Sequence, residues 1–581
     1  MLAFVPSTYS QDIIWVGTSS ACTAIGTSNP ANRAYPDFET ALTFALISFN
    51  QATEIRLTNT VDYNLAENSI TIDNYTNGPG PFSSGPLTVK GGYANCGSAQ
   101  SSTTVIPQAV SVSLDSTSNE STVTISDITV QRSNATGMFI SGALEFGINV
   151  TVFLENVRID AGRRGISITN SAKVVMDSNT VIENHSHPTL GGGLYCGNIA
   201  DVELNGARFE NNIAPRGGQI YVDLGCTVNL REGSEINGVL FDNPPALQGA
   251  GIYVDSGFLR VWGGSDPAII RTNYGDEGSG IFCTGTADVL MEGRLLSNWA
   301  RFAGGNIYAT GGCDVTLTPG AIVQDGTGSG FGGGIYLSGD AFLQATGSQD
   351  GRVVIRDNFS GRGGGLYIQD DARAELFTTL FLDNDAIRGG AIWVEGSGAA
   401  GEVQLLMDRV DCPFLISCSE LQGNDASDGV QIHAENSNVV IRRTLFDRNT
   451  RGSTFDGTAS GAITLIGSNA EIDRVGFIGN EAYSTIFNTS GPETMNIRHV
   501  TAVDNTFPDD PGRNAYAMVV RGVGTTTVFN SIFMDTDGQE GTPSGNFDGS
   551  CNLVDDQSSW PAGTTILGTA IFNNASGGDI R

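Results

Sequence analysis

Three pairs of adjacent aspartates are the first candidates for catalysis: Asp370-Asp371, Asp509-Asp510 and Asp555-Asp556. A glycosidase needs two carboxylates that flank one bond, and a calcium-dependent lyase needs clustered carboxylates beside a basic residue. Neighbouring side chains on a strand point to opposite faces, so adjacent aspartates do not converge on one substrate. We interpret the pairs as solvated turns and predict no catalytic residues.

Two short segments have the composition of metal sites. Residues 183–187 (ENHSH) place two imidazoles on one face of a strand, but no third ligand is evident. Residues 535–540 (DTDGQE) contain part of a calcium loop without its length or its later ligands. We interpret both as polar loops and predict no metal site and no cofactor, while adventitious calcium binding to the acidic surface stays open.

Eight aromatic residues recur directly after an aliphatic residue that follows a Gly-Gly pair or its variant. We call them the aromatic file: Tyr195, Tyr221, Tyr253, Phe282, Tyr308, Tyr336, Tyr367 and Trp393. If each aliphatic side chain points into a core, the next ring points outward, and the rings form a stripe on one face. Self-stacking of the rings would stabilise a sheet. The alternative is a flat ligand-binding platform for sugar rings or a partner protein. We favour self-stacking, because it is sufficient to explain the pattern.

The nine cysteines predict disulfides. Cys196 and Cys226 are 30 residues apart, with the first just after a residue of the aromatic file. Cys283 and Cys313 have the same separation and the same phase, which predicts bonds between successive repeats. Two further predicted pairs are Cys22 with Cys96 and Cys412 with Cys418, which leaves Cys551 over. Disulfides would imply an exported protein, whereas buried reduced thiols are the alternative.

The elements that position these residues come from one repeated phrase. It reads aliphatic-x-x-Asn, a short variable stretch, then Gly-Gly-x-Ile-Tyr; the clearest copies lie at 209–221 and 381–393. Adjacent copies are mostly 26 to 32 residues apart, and a fixed period of this size indicates a solenoid. Alternating apolar and polar runs such as residues 226–230 (CTVNL) predict strands, and the 76 glycines disfavour helix. The predicted fold is an all-β, single-stranded, right-handed parallel β-helix.

The asparagine of the phrase also recurs, and we expect it to occupy a left-handed turn. Stacked from coil to coil, its amide can bond the coils above and below, as amide ladders do in cross-β stacks. The predicted Asn ladder comprises Asn212, Asn273, Asn298, Asn358 and Asn384, in a series that starts at Asn184 and continues through Asn424, Asn449 and Asn480.

Charge and hydropathy exclude several classes of protein. The net charge of −32 argues against binding to nucleic acid or to anionic membrane surfaces. No apolar run is long enough for a membrane-spanning helix. We divide the chain into a remnant of an export signal (1–11), an N-terminal cap with the first coils (12–100), the β-helix repeats (101–500), and C-terminal coils that look truncated (501–581). Asp37 is predicted to cap a helix whose apolar face would cover the open end of the solenoid.

The phrase resembles the FxxN and GGxI repeats of chlamydial polymorphic outer-membrane proteins and related secreted bacterial β-helix proteins. The copies at 209–220, 381–392 and 446–463 match as written, and the similarity covers roughly residues 180–480. The resemblance implies a surface-exposed or secreted protein of the kind called an adhesin, and it implies no catalytic residues.

Together these observations predict an extracellular or cell-surface, non-enzymatic protein that acts in adhesion or display through an elongated face. Its partner would be a host-cell or extracellular glycan or protein, and not nucleic acid. One alternative is a polysaccharide lyase or glycosidase of the pectin-lyase-like superfamily, because parallel β-helices also host such enzymes. A further alternative is a subunit of an extracellular filament formed by end-to-end self-association.

Overall fold

The computed structural model describes most of the chain in separate stretches. These are residues 12–25, 32–47, 53–63, 70–73, 86–113, 121–132, 135–142, 150–238, 246–348, 351–397, 404–408, 419–428, 431–451, 461–489, 493–506, 515–520, 524–534, 536–540, 546–550 and 552–554. The chain divides into two compact units, Met1–Tyr274 (unit 1) and Gly275–Arg581 (unit 2). The predicted cysteine pair 412 and 418 lies outside the described residues, as do residues 1–11, 509–510 and 555–581.

Two short helices stand near the start of the chain, α1 (Ser20–Ile25) and α2 (Phe38–Ile47). Asp37 caps α2, since its Oδ1 accepts a hydrogen bond of 2.7 Å from the backbone N–H of Thr40. Phe38, Ala41 and Leu42 are buried where α2 packs on the first strands. The predicted helix and its Asp37 cap are therefore present.

The strands form four parallel layers that the chain visits in turn. Taking one coil as the example, Ile220–Val222 belongs to sheet 1, Thr227–Leu230 to sheet 2, Glu235–Asn237 to sheet 3 and Ala246–Gln248 to sheet 4. In the N-terminal coils the structure describes only the first three layers. This order, with every described strand pair parallel, is that of a parallel β-helix, which confirms the predicted fold class.

The strand bounds in unit 1 are as follows. Sheet 1 contains Thr71–Asp73, Val110–Ser113, Thr136–Ser141, Arg164–Thr169, Leu194–Cys196, Ile220–Val222 and Ile252–Asp255. Sheet 2 contains Asp12–Val16, Asn32–Tyr35, Thr53–Thr58, Leu87–Tyr93, Ser121–Ser126, Val150–Glu155, Ala172–Met176, Asp201–Leu204, Thr227–Leu230 and Phe258–Val261. Sheet 3 contains Thr104–Ile106, Ile128–Gln131, Arg158–Gly162, Val181–His185, Arg208–Glu210, Glu235–Asn237 and Ile269–Arg271, and sheet 4 contains Ala246–Gln248. The strand Tyr274–Glu277 includes the point of division.

The strand bounds in unit 2 follow the same order. Sheet 1 contains Ile281–Thr284, Ile307–Ala309, Ile335–Leu337, Leu366–Asp370, Ile392–Gly396, Ile432–Glu435, Gly461–Ile466, Ser484–Thr489, Ala515–Val520 and Thr536–Glu540. Sheet 2 contains Asp288–Met291, Asp314–Leu317, Phe342–Thr346, Arg373–Phe377, Leu405–Asp408, Asn438–Arg442, Asn469–Asp473, Thr494–Arg498, Thr525–Phe529 and Asn546–Ser550. Sheet 3 contains Arg294–Leu296, Ile322–Gln324, Val353–Arg356, Thr379–Leu382, Ser419–Gln422, Thr444–Asp447, Gly476–Ile478, Thr501–Val503, Ile532–Phe533 and Leu553–Val554. Sheet 4 contains Trp299–Ala303, Thr327–Phe331, Phe359–Arg362, Asp385–Arg388, Asp425–Asp428 and Thr450–Arg451.

The strand register places similar side chains next to each other on successive coils. Ile220 pairs with Ile252, and the residues on either side keep the same phase. Inward side chains such as Ile220, Val228 and Ile236 are fully buried, so every coil contributes apolar groups to one continuous core in its unit. The first glycine of the phrase makes the bend before sheet 1, because Gly217 has φ of 62° and any Cβ there would meet the Ile220 carbonyl oxygen.

In unit 2 the recurring asparagines form a buried ladder. Its continuous stretch is Asn358, Asn384, Asn424, Asn449, Asn480 and Asn505. At each step the Oδ1 of one asparagine accepts bonds from the backbone N–H and the Nδ2 of the preceding one; between Asn358 and Asn384 these are 3.2 and 2.9 Å. The Nδ2 of Asn384 also donates to the carbonyl oxygen of Ile355 at 2.9 Å. The amide of Asn384 therefore bonds the coil before it and the coil after it.

Two details of the predicted ladder are wrong. The ladder asparagines do not adopt the left-handed conformation; the residue immediately before each one often does, as with Asn211 (φ 55°) before Asn212 and Asp383 (φ 52°) before Asn384. Asn184 is such a preceding residue and is exposed, and His185 takes the ladder position in its coil. The left-handed residue turns the chain so that the next side chain points into the core.

Asn212, Asn273 and Asn298 are also buried at the ladder position. Asn212 accepts a bond from the backbone N–H of His185 at 3.1 Å, as a ladder residue should. The Nδ2 of Asn273 donates to the Arg271 carbonyl oxygen at 2.9 Å. Asn298 does not bond an asparagine in the next ladder position, because that position is Gly326; its Nδ2 donates instead to Oδ1 of Asn306 at 2.8 Å.

Three of the four predicted disulfides lie within the described residues, and all three are formed: Cys22–Cys96, Cys196–Cys226 and Cys283–Cys313. The last two each join a sheet 1 strand to the start of the next coil's sheet 2 strand, with Cα atoms 6.0 Å apart. Cys22–Cys96 ties α1 to the first coils and packs with Trp15.

Candidate binding surface

The aromatic file stacks along sheet 1 in both units. In unit 1 the ring centroids of Tyr221 and Tyr253 are 5.2 Å apart with nearly parallel planes. In unit 2 the stacked rings run from Phe282 to Trp393 and continue onto the imidazole of His433, whose centroid lies 3.8 Å from that of Trp393. The in-register pairing that aligns the inward isoleucines also aligns these rings, as expected for offset stacking along a sheet.

The rings do not form an open stripe. Six of the eight are buried, with Trp393 fully enclosed, and only Tyr195 and Tyr308 are half-buried. The expectation of a solvent-facing stripe is therefore wrong for those six. In unit 2, sheet 4 lies beside the rings, and its residues Arg362 and Phe331 pack over Trp393 and Tyr367, respectively, at 5.0 Å each. A layer that sequence periodicity did not reveal covers the rings.

Several tyrosine hydroxyl groups donate to an acceptor two positions beyond the next ring: a carboxylate for Tyr195, Tyr221 and Tyr367, and the amide oxygen of Gln369 for Tyr336. Tyr195 donates to Asp223 Oδ2 at 2.6 Å, and Tyr367 donates to Glu395 Oε2 at 2.5 Å. Burial, with the neighbouring Asp223, raises the pKa of Tyr195 to about 12. These hydroxyls stay protonated at physiological pH and serve as hydrogen-bond donors within the packed layer.

The outer surface of sheet 4 in unit 2 is unusually apolar. We call it the apolar face and define it by Trp299, Phe302, Phe331, Phe359 and Ile387. Four of these are exposed, at 56% for Phe302, 36% for Phe331, 48% for Phe359 and 59% for Ile387, and Trp299 is half-buried. Large apolar side chains that stay this exposed on successive strands are a common mark of a binding surface.

Small residues on the inner side of the same strands explain the outward orientation. Ala300, Gly328, Ser360 and Ala386 pair in register and are buried, so the strands lie close to the core. Alternation of side chains along a strand then turns the adjacent Trp299, Phe359 and Ile387 outward, whereas Phe302 and Phe331 lie two and three residues from the small residue of their strand. Thr327 separates Trp299 from Phe359 in one outward file.

Ion pairs border the apolar face. Arg301 bonds Asp276 at 2.5 Å, and Arg362 lies 3.6 Å from Glu395 while its guanidinium covers the Trp393 ring. Both arginine side chains are more than a third exposed. They offer N–H donors to a ligand on the face while the carboxylates hold them in place.

Unit 1 contains a second set of functional interest on sheet 3. Asp160, Glu183 and Glu210 pair in register on three successive strands. Glu183 is 8% exposed and forms an ion pair with Arg158. Burial raises the pKa of Glu183, and the charges of Asp160 and Glu210 add to the shift while Arg158 opposes it. A carboxylic acid with a raised pKa between two other carboxylates has the composition of a general acid site.

The segment 183–187 does not gather metal ligands. His185 is buried, with its Nε2 3.1 Å from the Ile159 carbonyl oxygen. The Nδ1 of His187 accepts from the backbone N–H of Leu190 at 3.1 Å and so faces its own loop. Burial lowers the pKa of each histidine to about 4. Within the described stretches, no group of three or more histidine, cysteine, aspartate or glutamate residues is placed to hold a metal ion.

The adjacent pair Asp370-Asp371 lies at the end of a strand, as predicted for a turn. Asp370 has φ of 60°, and Asp371 accepts a bond of 2.6 Å from the hydroxyl of Ser397. In the described part of the chain, these two carboxylates do not belong to a group of three or more side chains that could hold a metal ion.

A model of the family described as right handed beta helix region matches residues 100–261. The fold is a right-handed parallel β-helix. This match agrees with the layers observed on either side of the matched segment, and it does not by itself distinguish an enzyme from a binding protein. No curated protein matches the chain. Among the described residues, neither helix has the length and apolar character needed to cross a membrane.

Sequence reasoning did not find the apolar face or the sheet 3 carboxylates. Both had a signal in the repeat. Asp160, Glu183 and Glu210 each stand two residues before the ladder position of their coil, and Trp299 and Phe359 each stand one residue after it. Aligning the copies by the ladder position rather than by the Gly-Gly pair would have grouped them.

Proposed function

We propose that this protein is an exported or cell-surface β-helix that binds an extracellular partner through the apolar face of unit 2. The observation that carries the proposal is the run of four exposed apolar side chains on successive sheet 4 strands. A soluble protein normally covers or replaces such residues unless they contact something. The resemblance of the repeats to those of polymorphic outer-membrane proteins favours adhesion over catalysis.

Export is part of the proposal, and the disulfides support it. Two of the three described bonds link consecutive coils at the same phase, a use of cysteine that fits an oxidising compartment. Mass spectrometry of protein recovered from its native host should yield the Cys196–Cys226 peptide pair in oxidised form. Free thiols at both positions would argue for a reducing compartment.

Binding can be tested with the full chain on whole cells and on arrays of extracellular glycans and proteins. Phe302→Ser combined with Ile387→Ser removes the two most exposed side chains of the face without touching the aromatic file. We expect at least a tenfold loss of binding, since exposed apolar anchors dominate such contacts. Leu224→Ser, at a 66% exposed site in unit 1, is the matched control and should bind like the wild type. If the variant with Phe302→Ser and Ile387→Ser binds as well as the Leu224→Ser control, the apolar face is not the binding surface.

The sheet 3 carboxylates of unit 1 support a second candidate, a glycosidase or lyase acting on polysaccharide. Glu183, whose pKa is raised, would protonate a leaving oxygen, and Asp160 or Glu210 would act from the neighbouring coil. Neighbouring coils are about 4.8 Å apart, near the carboxylate separation of retaining glycosidases. Reducing-sugar and unsaturated-uronate assays on a polysaccharide panel test this candidate. Turnover that Glu183→Gln abolishes and Leu224→Ser preserves would establish it.

A further inference from the structure

We infer that the ligand of the apolar face is an extended, electrically neutral polysaccharide that lies along the direction in which the coils stack. The inference rests on the proposed function, because it assigns a ligand class to the same surface. Three features of the face carry it: the spacing of the rings, the polar groups beside them, and the charge of the chain.

The spacing suits a regular linear polymer. Trp299, Thr327 and Phe359 occupy one outward file on three successive strands. Successive strands are about 4.8 Å apart, so the two aromatic side chains are separated by about 10 Å. One strand spacing is close to the rise of one residue in an extended β-linked sugar chain. Trp299 and Phe359 can therefore meet alternate sugar residues, and the smaller Thr327 leaves room for the residue between them.

The surroundings of the rings suit sugars better than a protein surface. Ser329 and Gly361 are small neighbours on the same side of the sheet, and the side chain of Phe359 is 48% exposed. Aromatic faces carry negative charge density and attract the polarised C–H groups of a sugar ring. The pairs Arg301–Asp276 and Arg362–Glu395 supply donors and acceptors beside the rings, as the hydroxyl groups of a sugar require.

Charge selects a neutral chain over an acidic one. The protein has a net charge of −32, and the two arginines that border the face are each paired with a carboxylate. A polyuronate or a sulfated glycan would meet general electrostatic repulsion with no uncompensated cation from these pairs to offset it. A neutral polysaccharide avoids that repulsion and keeps both the stacking and the hydrogen bonds.

Native affinity electrophoresis of the full chain tests the inference, with hydroxyethyl cellulose as the neutral probe and polygalacturonate as the acidic one. We expect retardation by the neutral probe only. Phe359→Ala should weaken it about tenfold, which is the loss of one stacked ring. Phe359→Tyr should retain it, and Leu224→Ala in unit 1 should have no effect. Far-UV circular dichroism and the intact disulfides check that each variant is folded.

Three results would overturn the ligand class: no retardation by the neutral probe, equal or stronger retardation by polygalacturonate, or unchanged binding by folded Phe359→Ala. The proposed function fails separately. If binding to cells or protein arrays depends on Phe302 and Ile387 while hydroxyethyl cellulose does not bind, the face is a binding surface for another class of partner. If the face variants bind every partner like the wild type, the proposed function itself is wrong.

Discussion

An exchange of side chains between two neighbouring coils gives the sharpest test of the packing. In several coils the third residue of the Gly-Gly-x triplet and the next ladder residue lie in direct contact, as at Gly193, Gly280 and Gly334. A Cβ on Gly334 would lie 3.1 Å from Nδ2 of Asn358, and here the triplet residue is glycine and the ladder residue is asparagine. At the preceding coil the two residue types are exchanged: the triplet residue is Asn306 and the ladder residue is Gly326. A Cβ on Gly326 would lie 2.3 Å from Nδ2 of Asn306. Asn306 thus supplies the amide that the ladder position lacks.

The expected energies follow from the bonds of Asn306. Its Oδ1 accepts from Asn298, and its Nδ2 donates to the Gln324 carbonyl oxygen and to Asn358 Oδ1, both at 3.1 Å. Asn306→Gly should lower the free energy of unfolding by about 2–4 kcal/mol, because buried polar groups lose partners. Gly326→Asn alone should cost about 1–3 kcal/mol through overpacking. With both changes the amide returns to the ladder position, and the cost should fall to about 1 kcal/mol.

The wild type, the two single variants and the double variant form a double-mutant cycle. Urea unfolding monitored by far-UV circular dichroism measures the free energy of unfolding of each protein. The two single changes should not add, and the coupling free energy should be about 4 kcal/mol in favour of the double variant. Hydrogen exchange at residues 353–358 should slow again in the double variant. If the double variant loses the sum of the two single losses, Asn306 does not replace a ladder residue.

Three further predictions test other parts of the coil. Asn384→Ala removes four buried hydrogen bonds and should lower the free energy of unfolding in urea by about 3–5 kcal/mol. The matched change at the exposed Asn469, Asn469→Ala, should lower it by less than about 1 kcal/mol, and similar losses would contradict the buried ladder. Burial lowers the pKa of His185 from 6.5 to about 4, so its contribution to stability is complete above pH 6.5 and is lost as the pH falls towards 4. His185→Asn should therefore reduce the fall of the urea midpoint between about pH 6.5 and 5. An unchanged fall would mean that protonation of His185 does not cause it. Replacing Cys283 and Cys313 together by alanine should lower the free energy of unfolding by about 3–4 kcal/mol, the value expected for a disulfide that closes a loop of about 30 residues. An unchanged free energy of unfolding would mean that the disulfide is not formed in solution.

The repeated phrase was enough to predict the coil and much of its interior. Period and alternation gave the parallel layers and the inward positions, as Ile220 and Val222 illustrate. Equal spacing and phase gave the bond between Cys196 and Cys226, because residues that repeat with the coil meet across one strand spacing. These features follow from strand geometry, which is local and regular, so the sequence carries them directly.

The fourth layer was not predictable from the same pattern. Alternation told us that Tyr367 points away from the core, but not that another strand would lie beside it. The sheet 4 strands arise from the variable stretch between the asparagine and the Gly-Gly pair, where inward positions such as Gly328 and Ala386 are too small to register as an apolar period. The conformation of the asparagines was mistaken for a related reason: Asn211 and Asn212 are adjacent, and composition does not say which of the two turns the chain.

Different positions of the repeat are used for folding and for the proposed binding surface. The inward aliphatic, ladder and glycine positions are constrained by neighbouring coils, since each one contacts its counterpart across about 4.8 Å. The outward positions of sheet 4 contact no counterpart in the core: Phe359 pairs with Thr327 on one side and Asp385 on the other, three residues of unrelated character. The side chains that would select a ligand therefore occupy the part of each repeat on which folding makes the weakest demand. Exchanging the outward residues of sheet 4 should alter ligand choice with little effect on stability, whereas exchanging the ladder or inward residues should do the reverse.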